Sequence, residues 1–196
     1  MGSIGVSGGN NIYISGEAAL HSGLTFATNE ILPTAQGSIT DGAESLGSSS
    51  NRFNNLYLSG GVYLGGTGAA NYLDDYEEGT WTPVDVSAGS LSFTSVNATY
   101  VKVGKTVFIA GTLTYPSTAD TSQARIAGLP FTSENTSPAI SYIIPMTVAT
   151  STGAGVAIAI GPNETSGYLR KLDNSVPTNA NASGNTFLFS GSYNTA

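Results

Sequence analysis

There is no cysteine in the 196 residues, so neither disulfides nor thiolate metal sites hold this chain together. Charge is nearly as scarce. Only 10% of residues are Asp, Glu, Lys or Arg, well below the roughly 25% of an ordinary soluble domain. Six Lys and Arg are too few to neutralise a phosphate backbone, and the net charge is −7 (3 × −7 = −21 in a trimer), so no nucleic-acid partner is expected. His21 is the single histidine, which leaves Ser-His-Asp and Cys-His triads without support. No apolar run approaches the roughly 20 residues of a membrane span, so no membrane insertion is expected. Residues 1–6, Met-Gly-Ser-Ile-Gly-Val, lack the basic stretch of a secretory signal, and no leader is expected.

Glycine, serine, threonine and asparagine fill the space instead. This composition favours strands and turns over helices, and the fold class it predicts is all-β. A cysteine-free β protein with little charge needs another source of stability, and oligomerisation is the expected one.

The chain divides at residues 71–83, Asn-Tyr-Leu-Asp-Asp-Tyr-Glu-Glu-Gly-Thr-Trp-Thr-Pro, which hold four of the thirteen acidic residues and the only tryptophan. Residues 1–70 carry 14 of the 25 glycines and too few bulky residues for a core, so they read as a thin shaft. Residues 71–83 read as a neck and residues 84–196 as a globular head. Within the shaft, Asn10-Asn11-Ile12-Tyr13-Ile14-Ser15-Gly16 recurs as Asn54-Asn55-Leu56-Tyr57-Leu58-Ser59-Gly60, with five of seven positions identical. Each copy predicts a short strand with its aliphatics on one face and its tyrosine on the other. Further strands are expected at Val62 and Leu64, at Leu24 to Thr28 and at Glu30 to Pro33. Two or three aliphatics per strand, at roughly 2 kcal/mol each, do not offset roughly 1–2 kcal/mol of backbone entropy per residue. The shaft therefore calls for partner chains, and three around one axis would supply them, with aliphatics inward and Tyr13 and Tyr57 outward.

In the neck, Leu73 and Tyr76 lie three apart, which one helical turn ending at Gly79 would place on one face. Three copies would close an apolar plug there. Asp74, Asp75, Glu77 and Glu78 read as a solvated collar or, alternatively, as Ca²⁺ ligands; their spacing matches no EF-hand, and no metal or cofactor is assigned. In the head, strands are expected at residues 98–103, 106–115, 137–150, 156–160, 168–172 and 186–193, with shorter ones at 91–93 and 125–127. Pro145 suggests an edge position or a bulge. About eight regularly spaced strands predict a β-sandwich or jelly roll. The head carboxylates Asp85, Asp120, Glu134, Glu164 and Asp173 are scattered, and no catalytic constellation is found.

Several stretches resemble bacteriophage tail fibre proteins. Residues 41–61, with Leu46-Gly47, small polar residues, Arg52-Phe53 and then Leu56-Tyr57-Leu58, resemble a segment that precedes the head in such fibres. Glu78-Gly79-Thr80-Trp81-Thr82-Pro83 resembles the opening strand of many fibre heads. Tyr100-Val101-Lys102-Val103-Gly104 and Gly128-Leu129-Pro130-Phe131 are similar to stretches that recur there in this order. The resemblance covers about residues 41–133 and implies a homotrimer with an intertwined β shaft followed by a sandwich or jelly-roll head. It implies a structural, non-enzymatic virion protein of the tail. The N-terminal region would attach to other tail proteins, and the head would bind a host-surface glycan such as lipopolysaccharide. Leu56, Leu58, Leu73, Tyr76 and Trp81 are the expected trimer-packing residues. Tyr115, Gln123, Tyr168 and Arg170, in loops 115–123 and 163–173, are the expected receptor contacts, because tyrosine stacks on sugars and arginine bridges hydroxyls or phosphates. Two other classes stay open: a capsid fibre or decoration protein without a receptor, and a glycan-degrading tailspike.

Overall fold

The computed structural model describes residues 2–135, 142–149, 155–171 and 173–196. It is built almost wholly of β-strands and separates into two compact units, Met1–Leu58 and Ser59–Ala196. Among the described residues no helix is long and apolar enough to cross a membrane.

The first unit is a five-stranded antiparallel meander: β1 (Gly2–Ser7), β2 (Asn11–Gly16), β3 (Ser22–Ala27), β4 (Glu30–Ala35) and β5 (Ser38–Ile39). Gln36 and Gly37 both take positive φ and make the two-residue turn between β4 and β5, a geometry that matches strand twist. The period of two sorts the side chains cleanly. Ile4, Ile14, Leu24 and Pro33 stand side by side across four strands, and Val6, Ile12, Phe26 and Ile31 form a second such row. The other face carries Thr25 and Thr34, fully buried and sharing a hydrogen bond of 2.6 Å, with Ser15 beside them. Tyr13 lies on that face against Gly5 and Gly37, where a Cβ would collide with its ring. A single chain thus covers its polar face and leaves the two aliphatic rows open, Ile12 and Ile14 being half exposed.

The second copy of the repeat departs from expectation. Residues 54–58 form no strand, and Leu56 and Leu58 are 67% and 53% exposed. The difference lies in partners: β2 has β1 and β3 to complete its ladders, and the same pattern at 54–58 has none within the chain.

The neck is extended rather than helical. β6 (Val62–Tyr63) pairs with β7 (Tyr72–Leu73) after a 3₁₀ turn at Ala69–Asn71, and β8 (Tyr76–Thr80) pairs with β10 (Ser95–Val103). These ladders engage the backbone that a helical turn would need. Gly79 ends no helix; it admits the Tyr100 ring, which would stand only 3.0 Å from a Cβ there. Three of the four acidic residues are tied individually: Asp75 pairs with Lys102, Glu77 accepts from the Tyr100 hydroxyl, and Glu78 from that of Tyr76 at 2.8 Å.

The head is one antiparallel sheet of nine strands. It adds β9 (Val84–Asp85), β11 (Thr106–Thr114), β12 (Arg125–Ala127), β13 (Tyr142–Val148), β14 (Val156–Ile160), β15 (Ser166–Lys171) and β16 (Thr186–Asn194), in the order β8-β10-β11-β16-β13-β14-β15-β12-β9. Its two outermost strands, β8 and β9, are separated by only residues 81–83. Laid flat, nine strands at ~4.8 Å spacing would hold those edges about 38 Å apart. The connecting chain reaches about 14 Å at most. The sheet therefore curls until its edges meet. At that seam the Thr82 carbonyl lies so close to Gly128 (φ 84°) that a Cβ would stand 2.4 Å from it. Inside the curl, Val107, Ile109, Leu113, Ile126, Ile144, Ile158, Ile160, Leu169, Phe187 and Phe189 form one core.

Three expectations for the head are corrected. Residues 91–93 make no strand, because the Leu91 N–H goes to the Asp85 carboxylate at 2.7 Å instead of a neighbouring strand; Leu91 and Phe93 still pack on the core. Pro145 sits in an interior strand, tolerated because β13 pairs with β16 only from Met146 to Val148. Trp81 is 7% exposed in its own chain's core and is unavailable to a partner copy. The rest of the strand expected over 137–150 falls on residues 137–141 and 150, outside the described residues, as does Leu172.

A polar network pins the loops to one end of the head. The short helix α1 (Asn179–Ala182) is capped by Thr178 and Asn181 reciprocally, and fully buried Asn179 donates to Ser87 Oγ at 2.6 Å and Asp120 Oδ2 at 2.7 Å. The Asn179 amide bond, helped by Ser122, holds the Asp120 carboxyl below its usual range despite partial desolvation.

Two buried phenols make the head sensitive to alkali. The Tyr193 hydroxyl donates to Phe131 O at 2.9 Å, and burial pushes its pKa up to about 12. Tyr115 is raised further, by burial first and by the Asp85 charge second. Both stand above the unfolded value near 10, so their contribution is whole below about pH 10 and is lost as pH rises through the folded values. We expect cooperative unfolding above about pH 10, with the last phenolate absorbance appearing together with loss of near-UV dichroism. Complete ionisation of all ten tyrosines near pH 10 with the fold intact would contradict this.

Candidate functional site

Strands β12, β15 and β14 present their outer faces side by side, and the register aligns Arg125, Tyr168, Ala159 and Ile143 in one row. Inward-facing Ile126, Leu169, Ile158 and Ile160 anchor these strands in the core, which fixes the outward positions by alternation. The small Ala159 leaves a depression between Tyr168 and Ile143. The result is a hollow of about 350 Å³, lined also by Gly161, Glu164, Ser166, Arg170 and Asn174.

Its polar groups are ordered. Glu164 Oε2 accepts from Arg125 Nη2 at 3.0 Å and from Ser166 Oγ at 3.2 Å. The Arg125 guanidinium lies over the Tyr168 ring, 4.8 Å from its centroid. At the other end Arg170 Nη1 donates to the main-chain and side-chain oxygens of Asn174, both at 3.2 Å. Asn174 takes positive φ in the turn after β15, where Asp173 accepts from the Ser175 hydroxyl and N–H, and those bonds lower its carboxyl pKa.

Of the four expected receptor residues, the hollow gathers Tyr168 and Arg170. Gln123 is exposed two positions before Arg125 on the same outward alternation, bridged to Thr178. Tyr115 is corrected: it is 1% exposed and packed edge-on against Phe93 and Phe187, because it continues the inward alternation of β11 beyond the strand's end. Glu164 and Ser166 fall within the expected 163–173 stretch without having been singled out; Arg125 and Asn174 lie outside both expected stretches. One signal for them was available: the alanines between Val156, Ile158 and Ile160 mark an outward face without bulk, and any pocket on this sheet would have its floor there.

Such a hollow offers an aromatic face, a carboxylate, a hydroxyl, an amide and two guanidinium groups, a set suited to a polyhydroxylated ligand. Glu164 is the one carboxylate among the lining residues. Among the described residues, no three His, Asp or Glu gather in a way that could hold a metal ion. Comparison with protein-family models, curated proteins and solved structures finds no match.

Proposed function

We propose that the chain is a bacteriophage tail fibre adhesin, a homotrimer whose head, closed in the manner of a sandwich or jelly roll, binds a host-surface glycan without cleaving it. The observation that carries the reading is the Tyr168 hollow, where a half-exposed aromatic ring is ringed by hydrogen-bonding groups on a rigid sheet face. Sugar recognition needs that combination: an apolar ring face for stacking, with fixed donors and acceptors for hydroxyls. The single lining carboxylate favours holding over hydrolysis, because glycoside cleavage ordinarily uses two that flank one bond. The trimer is supported by the open aliphatic rows of the first unit. They continue into a groove of about 380 Å³ lined by Leu24, Ile31, Pro33, Leu46 and Phe53, so the Phe53 of the fibre-like motif stands at an unfilled apolar surface. In this reading the first unit belongs to the shaft that joins other virion proteins of the tail.

Adsorption tests the reading. Labelled full chain is expected to bind cells of a susceptible strain. Tyr168→Ala should reduce binding about tenfold per site, the equivalent of roughly 1.4 kcal/mol of lost stacking, with an unchanged melting temperature. Equal adsorption by the variant would move the receptor contact away from this hollow.

A further inference from the structure

Resting on the adhesin reading, we infer that the hollow selects a sugar residue bearing a negative charge, a carboxylate or a phosphate, and that Arg170 is the residue that selects it. The lining carries two arginines and one glutamate, a local charge of +1 (+2 − 1) in a chain of net −7. Arg125 spends its charge on Glu164. Arg170 is held only by the neutral oxygens of Asn174, and among the described residues it makes no ion pair. Both of those bonds use Nη1. A guanidinium has five N–H donors in a fixed fork, so the Nε and Nη2 edge remains for two parallel bonds to an anionic group.

The order along β15 places that anion. Ser166, Tyr168 and Arg170 occupy successive outward positions, about 7 Å apart. A sugar ring stacked on Tyr168 would turn its hydroxyls to Glu164 and Ser166 and its charged substituent to Arg170. On the β12 side the ring of Tyr168 is covered by Arg125, and on the β14 side its neighbour is Ala159, so the stacking space lies over β14. The volume of about 350 Å³ is at the small end of ligand sites, which run from about 300 to 1,000 Å³, and suits one or two sugar residues. A polyanion is disfavoured: one unneutralised cation faces it, and the rest of the chain repels it.

The test uses the full chain and three probes, methyl glucoside, methyl glucuronide and a hexose phosphate, titrated by ligand-observed NMR. At least one anionic probe is expected to bind about tenfold more tightly than methyl glucoside or better, and that preference should shrink in high salt. Whether the glucuronide or the phosphate leads identifies the source of the charge. Arg170→Gln should erase the preference, weakening the leading anionic probe about tenfold and methyl glucoside by much less, with an unchanged melting temperature. Equal binding of neutral and charged probes, or a preference that survives Arg170→Gln, overturns the inference and leaves the adhesin reading standing. If no probe binds, the inference is overturned, and adsorption of the same sample to cells then decides the adhesin reading separately.

Discussion

Full-length chain carrying both Ile14→Asp and Leu24→Asp will scatter light as a species of about 20 kDa, and the unsubstituted chain as one of about 60 kDa (3 × 19.9 kDa). The two positions are cross-strand partners in the row of Ile4, Ile14, Leu24 and Pro33. In one chain they are roughly half exposed, so aspartate there meets water and the sheet survives. Between chains the same aspartates would have to be buried without a partner, which costs several kcal/mol each. The gain they remove is of matching size. Fully burying an aliphatic side chain contributes roughly 1.5–3 kcal/mol, and seven large side chains in the two rows still have about half of that to realise. The sum, about 5–10 kcal/mol per chain, lies in the range of the entropic cost of association, so the proposed trimer would depend on this face. A double variant that remains trimeric would place the interface on the 59–196 unit, and light scattering on a chain starting at Ser59 would then find the trimer there.

Alternation exposed the faces of the strands, and this is why so much of the two units could be read in advance. The rows of Ile12 with Ile14, of Val107, Ile109 and Leu113, and of Val156, Ile158 and Ile160 all face as the period of two requires. Three of the fibre-like motifs, at 78–83, 100–104 and 128–131, also have a physical meaning that the fold makes visible: they meet. Gly79 admits the Tyr100 ring, Tyr100 packs edge-on against Phe131 at 5.5 Å, and Lys102 lies over the same Phe131 at 5.1 Å while pairing with Asp75. The Thr82 carbonyl meets Gly128. Three stretches spread over residues 78–131 are the closure of one curled sheet, and their role is structural. Alternation says nothing, however, about which strand lies beside which. Arg125 and Glu164 are 39 residues apart and become partners only because β12 pairs with β15. The hollow was therefore legible as Tyr168 and Arg170, which share a strand, and illegible as a site. Tyr115 misled for a related reason: it both ends the strand expected over 106–115 and opens the loop expected over 115–123, and it is the inward phase of β11 that prevails.

Trp81→Ala will cost the 59–196 unit about 3–5 kcal/mol, a fall in melting temperature of roughly 10–20 °C. The size follows from the row in which the indole sits. The Trp81 N–H bonds to Ala98 O, and beyond Ala98 the register continues through Gly111 to Phe189 and Met146. Ala98 and Gly111 carry almost no side chain, and a Cβ on Gly111 would stand 2.7 Å from Ala98 Cα. Three strand spacings, about 14 Å, separate Trp81 from Phe189, yet their ring centroids are 5.7 Å apart. Both rings lean over the two small residues, and nothing else on that row can fill the space. Truncation to alanine therefore leaves a void that its neighbours cannot close, at the point where the edges of the sheet meet. Trp81→Phe separates volume from chemistry. The indole N–H is buried without an acceptor among the described residues, so phenylalanine removes an unpaired donor while keeping a ring against Phe189. It should cost clearly less than alanine, about 1–2 kcal/mol. Equal losses for the two variants would mean that the indole N–H has a partner and that the seam is held by that bond; a loss under about 1 kcal/mol for alanine would mean that the Thr82–Gly128 approach and the packing of Tyr100 and Lys102 on Phe131 close the sheet without it.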